Sequence, residues 1–442
     1  MTSVPIWFVS PDNFDRIRQE IGALAAGFAE SCGFEPKPGK IQLLPGADGG
    51  LAGVLFGQGG DPLAAGQLAA SLPPGAYRFA APPDNWELAT LAFLLGRYRF
   101  DRYKAAPRAA PSLEGPGVAE AESVAAAIFR GRDLINLPAN ALTPSALERE
   151  VSALAAEFGA QARVTIGEDL AQGFPLIAAV GAAATEAPRL VDFVWGRADA
   201  PKVTLVGKGV VFDTGGLDIK PASGMEIMKK DMGGAATAMT LARLIMQARL
   251  DVRLRLLIPI VENAISGPAM RPGDIYRSRK GLTVEVGNTD AEGRLILADA
   301  LSFAAEEAPE LMLDFATLTG AARVALGPDL PPFYTDDEAL AAEIAACAEK
   351  TRDPVWRLPL WSAYAGMLDS PAADLNNAPG SPFAGSITAA LFLRRFAEGA
   401  KAWAHFDVYA WNPKPRPTGP QGGEIQAARA LFALLCARYP AP

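Results

Sequence analysis

From residue 163 onward, short apolar runs alternate with stretches of helical spacing, and that alternation limits the fold more than any other feature. The runs at 163–166, 176–180, 202–206, 253–261, 311–315 and 404–409 have the length and apolar content of strands. Between several of them, residues 235–247, 294–305, 340–349 and 387–396 carry apolar stripes at helical spacing. This order predicts an α/β fold, with a large, mostly parallel mixed sheet flanked by helices. Ahead of it, residues 1–107 predict a smaller N-terminal α/β domain, with strands at 6–9 and 77–80 and helices at 13–28 and 85–95. An Ala- and Pro-rich segment, 104–117, marks a boundary, so that 108–134 forms a linker and connecting helix and 135–442 the larger domain. Thr143 or Ser145 is expected to cap a helix reaching residue 158, and the Pro-rich piece 412–420 reads as a rigid surface loop before a last helix at 425–439.

The chain has 442 residues, enough for two domains, and a formal net charge of -8, which argues against a nucleic acid held by a basic patch. No apolar run is long enough to span a bilayer, and the first residues lack the basic and apolar regions of a signal peptide. Cys32, Cys347 and Cys436 are scattered without metal-site spacing. Together these features predict a cytoplasmic protein without a membrane partner. His405 is the single histidine, so a histidine-rich zinc site is excluded within the chain. It lies in an apolar run and reads as a hydrogen-bonded core residue.

Two stretches concentrate acids where solvent-facing residues are not expected. Asn288-Thr289-Asp290-Ala291-Glu292-Gly293-Arg294-Leu295 follows an alternating run at 282–286 and precedes a helical stripe, which places Asp290, Glu292 and Arg294 in a strand-to-helix turn. Residues two apart in extended chain point the same way, so two carboxylates and a guanidinium share one small volume. Read alone, the stretch fits an acidic helix cap as well as a cation site. The second stretch runs from a buried strand through Lys208 to Asp213 and Lys220, then to Asp231 ahead of Gly233-Gly234. It is neither a P-loop nor a complete G-x-G-x-x-G, because Phe212 stands where the third Gly belongs. Ligands of open α/β sheets bind beyond the carboxyl ends of the strands, where Lys208 and Asp290 both fall. Asp213, Asp231, Asp290 and Glu292 are therefore expected to converge with Lys208, Lys220 and Arg294. Surface salt bridges are the plainer reading, but the apolar and glycine flanks favour buried acids that need a counter-charge.

These stretches resemble the leucyl (cytosol) aminopeptidase family of two-metal peptidases. Residues 288–295 reproduce its N-T-D-A-E-G-R-L signature, residues 207–221 its G-K-G…F-D-[ST]-G-G-L…I-K-P block, and the segment ending at Ala236 its K-x-D-M-G-G-A-A block. Residues 132–144 and 316–321 are similar to further family segments, whereas residues 1–107 show no family motif. The resemblance implies a metal-dependent aminopeptidase with Lys208, Asp213, Asp231, Asp290 and Glu292 as ligands of two divalent ions, manganese or zinc, with magnesium and cobalt also compatible. It implies a hydroxide shared by the two ions, Lys220 as stabiliser of the oxyanion, and Arg294 as holder of a bicarbonate that acts as general base. Lys208 ligates only as a neutral amine, which adjacent dications favour. Met228, Thr317 and Gly320 fall where the family's substrate pocket lies, and no organic cofactor is implied. The implied partners are peptides with a free N-terminus and further copies of the chain in a homo-hexamer. Near the C-terminus, Trp403 to Asp407 match the family's W-A-H-[LM]-D, but Val408-Tyr409-Ala410-Trp411-Asn412 replaces the small residues that follow. The alternatives are a two-metal hydrolase of another ester or amide class, such as a phosphoesterase, and a non-catalytic scaffold of the same fold.

Overall fold

The computed structural model describes residues 3–105 and 109–441, and its contacts divide the chain into two compact units. The first unit runs to Phe129 and also takes in Pro413–Gln421, so the Pro-rich segment contributes to this unit's packing. Its five-stranded sheet has the order Ile41–Pro45, Leu51–Gly57, Val4–Val9, Ala76–Ala81, Ser112–Glu114. Only the first pair is antiparallel. Three of these strands were not legible in the sequence, and the expected single helix at 13–28 is two, Phe14–Glu20 and Gly22–Ser31. Gly22 separates them with φ 81°, a left-handed conformation that interrupts the helical ladder. The segment 104–117 supplies the edge strand Ser112–Glu114, while residues 106–108 of that boundary lie outside the described residues.

The second unit, Arg130–Asn412 with the segment after Gly422, holds a nine-stranded mixed sheet. Its order is Trp356–Arg357, Pro332–Tyr334, Trp403–Asp407, Leu311–Ala316, Lys202–Gly207, Arg253–Asn263, Arg189–Trp195, Arg163–Ile166, with Gly209–Asp213 beside the far half of Arg253–Asn263. The central strands run parallel, and antiparallel pairs occur where Pro332–Tyr334 and Arg189–Trp195 join. The mostly parallel sheet flanked by helices is thus present. Its central strands are apolar throughout because both faces are covered. Val206, Leu257, Met312 and Ala316 face one cluster shared with the helices Glu292–Ala305 and Gly385–Ala397.

Two expectations are corrected here, and one strand was missed. Residues 176–180 are not a strand but lie in the helix Pro175–Gly181, whose first turn holds a proline and whose Leu176 N–H donates to Asp299 Oδ2 at 2.8 Å. The strand Arg189–Trp195 escaped notice because charges interrupt its apolar pattern, yet Asp192 is buried against Arg255 at 2.7 Å. Thr143 precedes the helix Pro144–Glu157, but its side chain makes no capping bond, and the Ser145 N–H donates instead to Glu186 Oε2 at 2.8 Å.

Candidate metal centre

The strand Lys202–Gly207 delivers Lys208 to the carboxyl end of the sheet, next to the end of Leu311–Ala316. There the Lys208 N–H donates to the Phe315 carbonyl at 2.9 Å, which fixes where its side chain starts. That side chain runs past Gly293, where a Cβ would stand 2.6 Å from Nζ, so only glycine leaves it room. Asp213 ends the strand Gly209–Asp213. One of its oxygens accepts from the Gly215 N–H at 2.9 Å and from Asn263 Nδ2 at 2.8 Å, which turns the other inward. Asp231 sits in the short helical turn Met228–Met232 and accepts from Thr317 Oγ1 at 2.7 Å. Glu292 is the first residue of the helix Glu292–Ala305.

Oxygens of Asp213, Asp231 and Glu292, all three buried, lie within 4.8 Å of one another. Lys208 Nζ stands 2.9 Å from both Asp231 and Glu292 and donates to the Thr317 carbonyl at 2.9 Å. Lys220 Nζ bridges Asp213, at 2.8 Å, and Asp290. The turn between strand and helix ends sooner than the sequence suggested. Asp290 stays in it, whereas Glu292 and Arg294 belong to the helix, so Asp290 meets Lys220 and Glu292 meets Lys208. Arg294 donates from Nη1 to the Asn377 carbonyl at 2.7 Å, and its buried Nε has no hydrogen-bond partner.

Six of the seven charged residues line one cavity of about 510 Å³, as do Met228, Thr317 and Gly320, while Glu292 is only 1% exposed. His405 is fully buried, with Nδ1 2.6 Å from Asp314, and serves the core.

The electrostatics of the group follow from burial and mutual repulsion. Burial, reinforced by the charge of Asp213, holds Glu292 well above the usual carboxylate range and lifts Asp290 to about 6. Asp231 is raised chiefly by burial as well. Burial opposes the charge on Lys208, but Asp231, Glu292 and Asp213 outweigh it and hold the ammonium above the ordinary lysine range. Lys220 is likewise raised against burial by Asp213, Glu292 and Asp290. Burial lowers Arg294 to about 10 and Lys230 to about 8.

Whether this group suits metal ions is answered by its unspent atoms. Asp231 Oδ2 and Glu292 Oε1 are buried and make no well-formed hydrogen bond, although the Lys208 ammonium is near both. Buried acceptors left without a well-formed hydrogen bond are costly, and four acids face two lysines. Hard oxygen donors in net excess of charge fit divalent cations.

Two supporting roles were not read from the sequence, that of Asn377 and that of Thr289 within the signature. Asn377, fully buried, accepts from the Gly287 and Asn288 N–H groups and donates to the Asn288 carbonyl, pinning the signature loop from 89 residues away. Thr289 exchanges hydrogen bonds with Asp218 and donates to the Gly215 carbonyl, tying together the two loops that carry the acids. Polar residues in loops have no periodicity to betray them, and only the folded contacts reveal these roles.

Comparison with known proteins bears on both units. Residues 130–432 match the family model described as cytosol aminopeptidase family, catalytic domain, and residues 4–116 match the M17 aminopeptidase N-terminal domain. The second match corrects the motif reading, which found no family resemblance in residues 1–107. A probable cytosol aminopeptidase of Roseiflexus castenholzii is 40% identical over 364 residues, 77% of this chain and 74% of that protein. One from Syntrophotalea carbinolica is 41% identical over 364 residues, with 77% and 73% covered. The crystal structure of a cytosol aminopeptidase from Coxiella burnetii superposes with a TM-score of 0.95 at 45% identity, covering 99% of this chain and 98% of that one. The bottromycin maturation enzyme BotP in complex with Mn superposes at 0.88 with 33% identity, covering 99% and 100%.

Proposed function

Since this chain belongs to the cytosol aminopeptidase (M17) family, metal-dependent exopeptidases that hydrolyse the N-terminal residue of peptides, we propose that the cavity of about 510 Å³ is its active site. In this reading Lys208, Asp213, Asp231, Asp290 and Glu292 hold two divalent ions, manganese or zinc, with magnesium and cobalt also compatible. When bound, the ions supply an activated water at neutral pH and polarise the scissile carbonyl. The observation that carries this assignment is the buried trio of Asp213, Asp231 and Glu292, two of whose members carry an oxygen with no well-formed hydrogen bond. BotP, a neighbour of the same fold, has been captured with Mn, which favours that metal.

The chain's own residues divide the remaining work. Lys208, 2.9 Å from Asp231 and Glu292, would enter the ligand set as a free amine, because adjacent dications would outweigh the carboxylates that otherwise hold it as an ammonium. Lys220 keeps its charge beside Asp213 and Asp290 and stabilises the oxyanion that forms as the carbonyl is attacked. Arg294 holds a bicarbonate as general base, a role supported by its buried, unpaired Nε. Met228, Thr317 and Gly320, all in the cavity wall, receive the side chain of the N-terminal residue. Residues 1–107 serve assembly into a homo-hexamer in the cytoplasm, and 135–442 form the catalytic domain. No helix among the described residues is long and apolar enough to cross a membrane.

Removal of metal tests this reading. Protein stripped with chelator is expected to lose hydrolysis of aminoacyl-p-nitroanilides and to regain it on addition of Mn or Zn. It should leave p-nitrophenyl phosphate untouched under all conditions. Full peptidase activity after exhaustive stripping, or faster turnover of the phosphate ester, would sink the assignment.

A further inference from the structure

Lys230, Arg323 and Tyr409 form a second charged group in the wall of the same cavity, and the hydrolytic machinery leaves them unused. Lys230 is 5% exposed, with Nζ 4.7 Å from the centre of the Tyr409 ring. Arg323, in the helix Gly320–Leu326, lies over the same ring with Cζ at 5.2 Å, and its Nη1 donates to the Tyr409 hydroxyl at 3.3 Å. Elsewhere in the cavity each lysine is matched, Lys208 by Asp231 and Glu292, Lys220 by Asp213 and Asp290. Among the described residues, Lys230 and Arg323 have no carboxylate within ion-pair distance. Asp407, on the adjoining strand, spends its oxygens on the Leu318 and Thr319 N–H groups and the hydroxyls of Thr319 and Ser386. With a formal net charge of -8, the chain has no general surplus of cations that would explain two unmatched ones here.

We propose that Lys230, Arg323 and Tyr409 recognise the carboxylate of an acidic N-terminal side chain, so that the enzyme prefers substrates beginning with aspartate or glutamate. The proposal rests on the peptidase reading of the cavity and names its substrate class. Lys230 shares its turn with Met228, and Arg323 shares its helix with Gly320, so both cations stand on the elements assigned to the side-chain pocket. A large apolar side chain packed against this wall would strip water from the exposed Arg323 and leave both cations without a carboxylate, which is costly. A carboxylate replaces that water with charge-assisted hydrogen bonds from the ammonium, the guanidinium and the phenol. An N-terminal lysine or arginine side chain is repelled by the same two cations. Tyr409 and Ala410 are held in place because both N–H groups donate to Gln426 Oε1 at 3.0 Å.

Steady-state kinetics of the metal-loaded full chain on Glu-, Asp-, Leu- and Lys-p-nitroanilide test the proposal. The expected kcat/KM for Glu exceeds that for Leu by about 10- to 100-fold, the worth of one charged hydrogen bond. Arg323→Gln, on an exposed helix away from the acids, is expected to erase most of that ratio, and Lys230→Met to do the same. Should Lys230→Met lose metal through its neighbour Asp231, the Arg323 variant alone decides. The proposal is overturned if the unaltered protein turns over Leu faster than Glu, or if Arg323→Gln leaves the ratio where it was. It is also overturned if the variants affect only dipeptides with a free C-terminal carboxylate, because the cations would then read the far end of the substrate. Absence of turnover on every aminoacyl substrate would instead remove the peptidase reading beneath it.

Discussion

Lys208→Met is expected to abolish aminopeptidase activity and to destabilise the metal-free protein by about 3–5 kcal/mol, the usual cost of removing one partner from a buried ion pair. The lysine is 2% exposed and is the cation nearest Asp231 and Glu292, at 2.9 Å from each. Its loss leaves two buried acids facing each other, with Asp213 also nearby. Methionine fills similar volume, so the effect measures charge rather than a cavity. Denaturant unfolding of chelated protein reads the stability, and elemental analysis reads the metal, which should fall below two ions per chain. A variant as stable and as active as the unaltered protein would show that Lys208 neither ligates nor balances the acids.

Lys220→Met is expected to behave differently. It should lower kcat by about 10²–10³-fold, the range found when one donor to a developing oxyanion is removed. KM should change little, because the charge it stabilises does not exist in the bound substrate. Metal content should remain two ions per chain, since Lys220 faces the acids from the cavity side and is itself half-buried. Loss of metal in this variant would move Lys220 from catalysis to the ligand framework.

The central sheet was legible because its strands are apolar on both faces and its helices carry clear stripes. Arg253–Asn263 and Leu311–Ala316 are of this kind, with their inner residues buried on both sides. The strand Arg189–Trp195 was hidden, because Arg189 and Asp192 look like surface residues until their partners are seen, Glu148 on a helix and Arg255 on the neighbouring strand. Residues 176–180 were misread because five apolar residues fit a buried strand or a short buried helix equally well. Asp299, far along the chain, decides between them by accepting the Leu176 N–H.

For the site, the acids were visible through their glycine-rich setting, and the fold brings Asp213, Asp231 and Glu292 to one point. The expectation that Asp290, Glu292 and Arg294 would share one extended turn missed the start of the helix at Glu292. Asn377 was out of reach and Thr289 was visible only as part of the signature, because the role of a buried loop residue is recognised by what it holds and not by its neighbours in the chain. Tyr409 stood out as a departure from the family pattern. Its pairing with Lys230 and Arg323 became apparent only in three dimensions.

Two bound cations would cancel the repulsion among these acids. Crystals of the full chain grown with Mn, measured on both sides of its absorption edge, test it directly. The account predicts two anomalous peaks at near-full occupancy among Lys208, Asp213, Asp231, Asp290 and Glu292. Peaks only at surface carboxylates, with Lys208 still lying between Asp231 and Glu292, would contradict it.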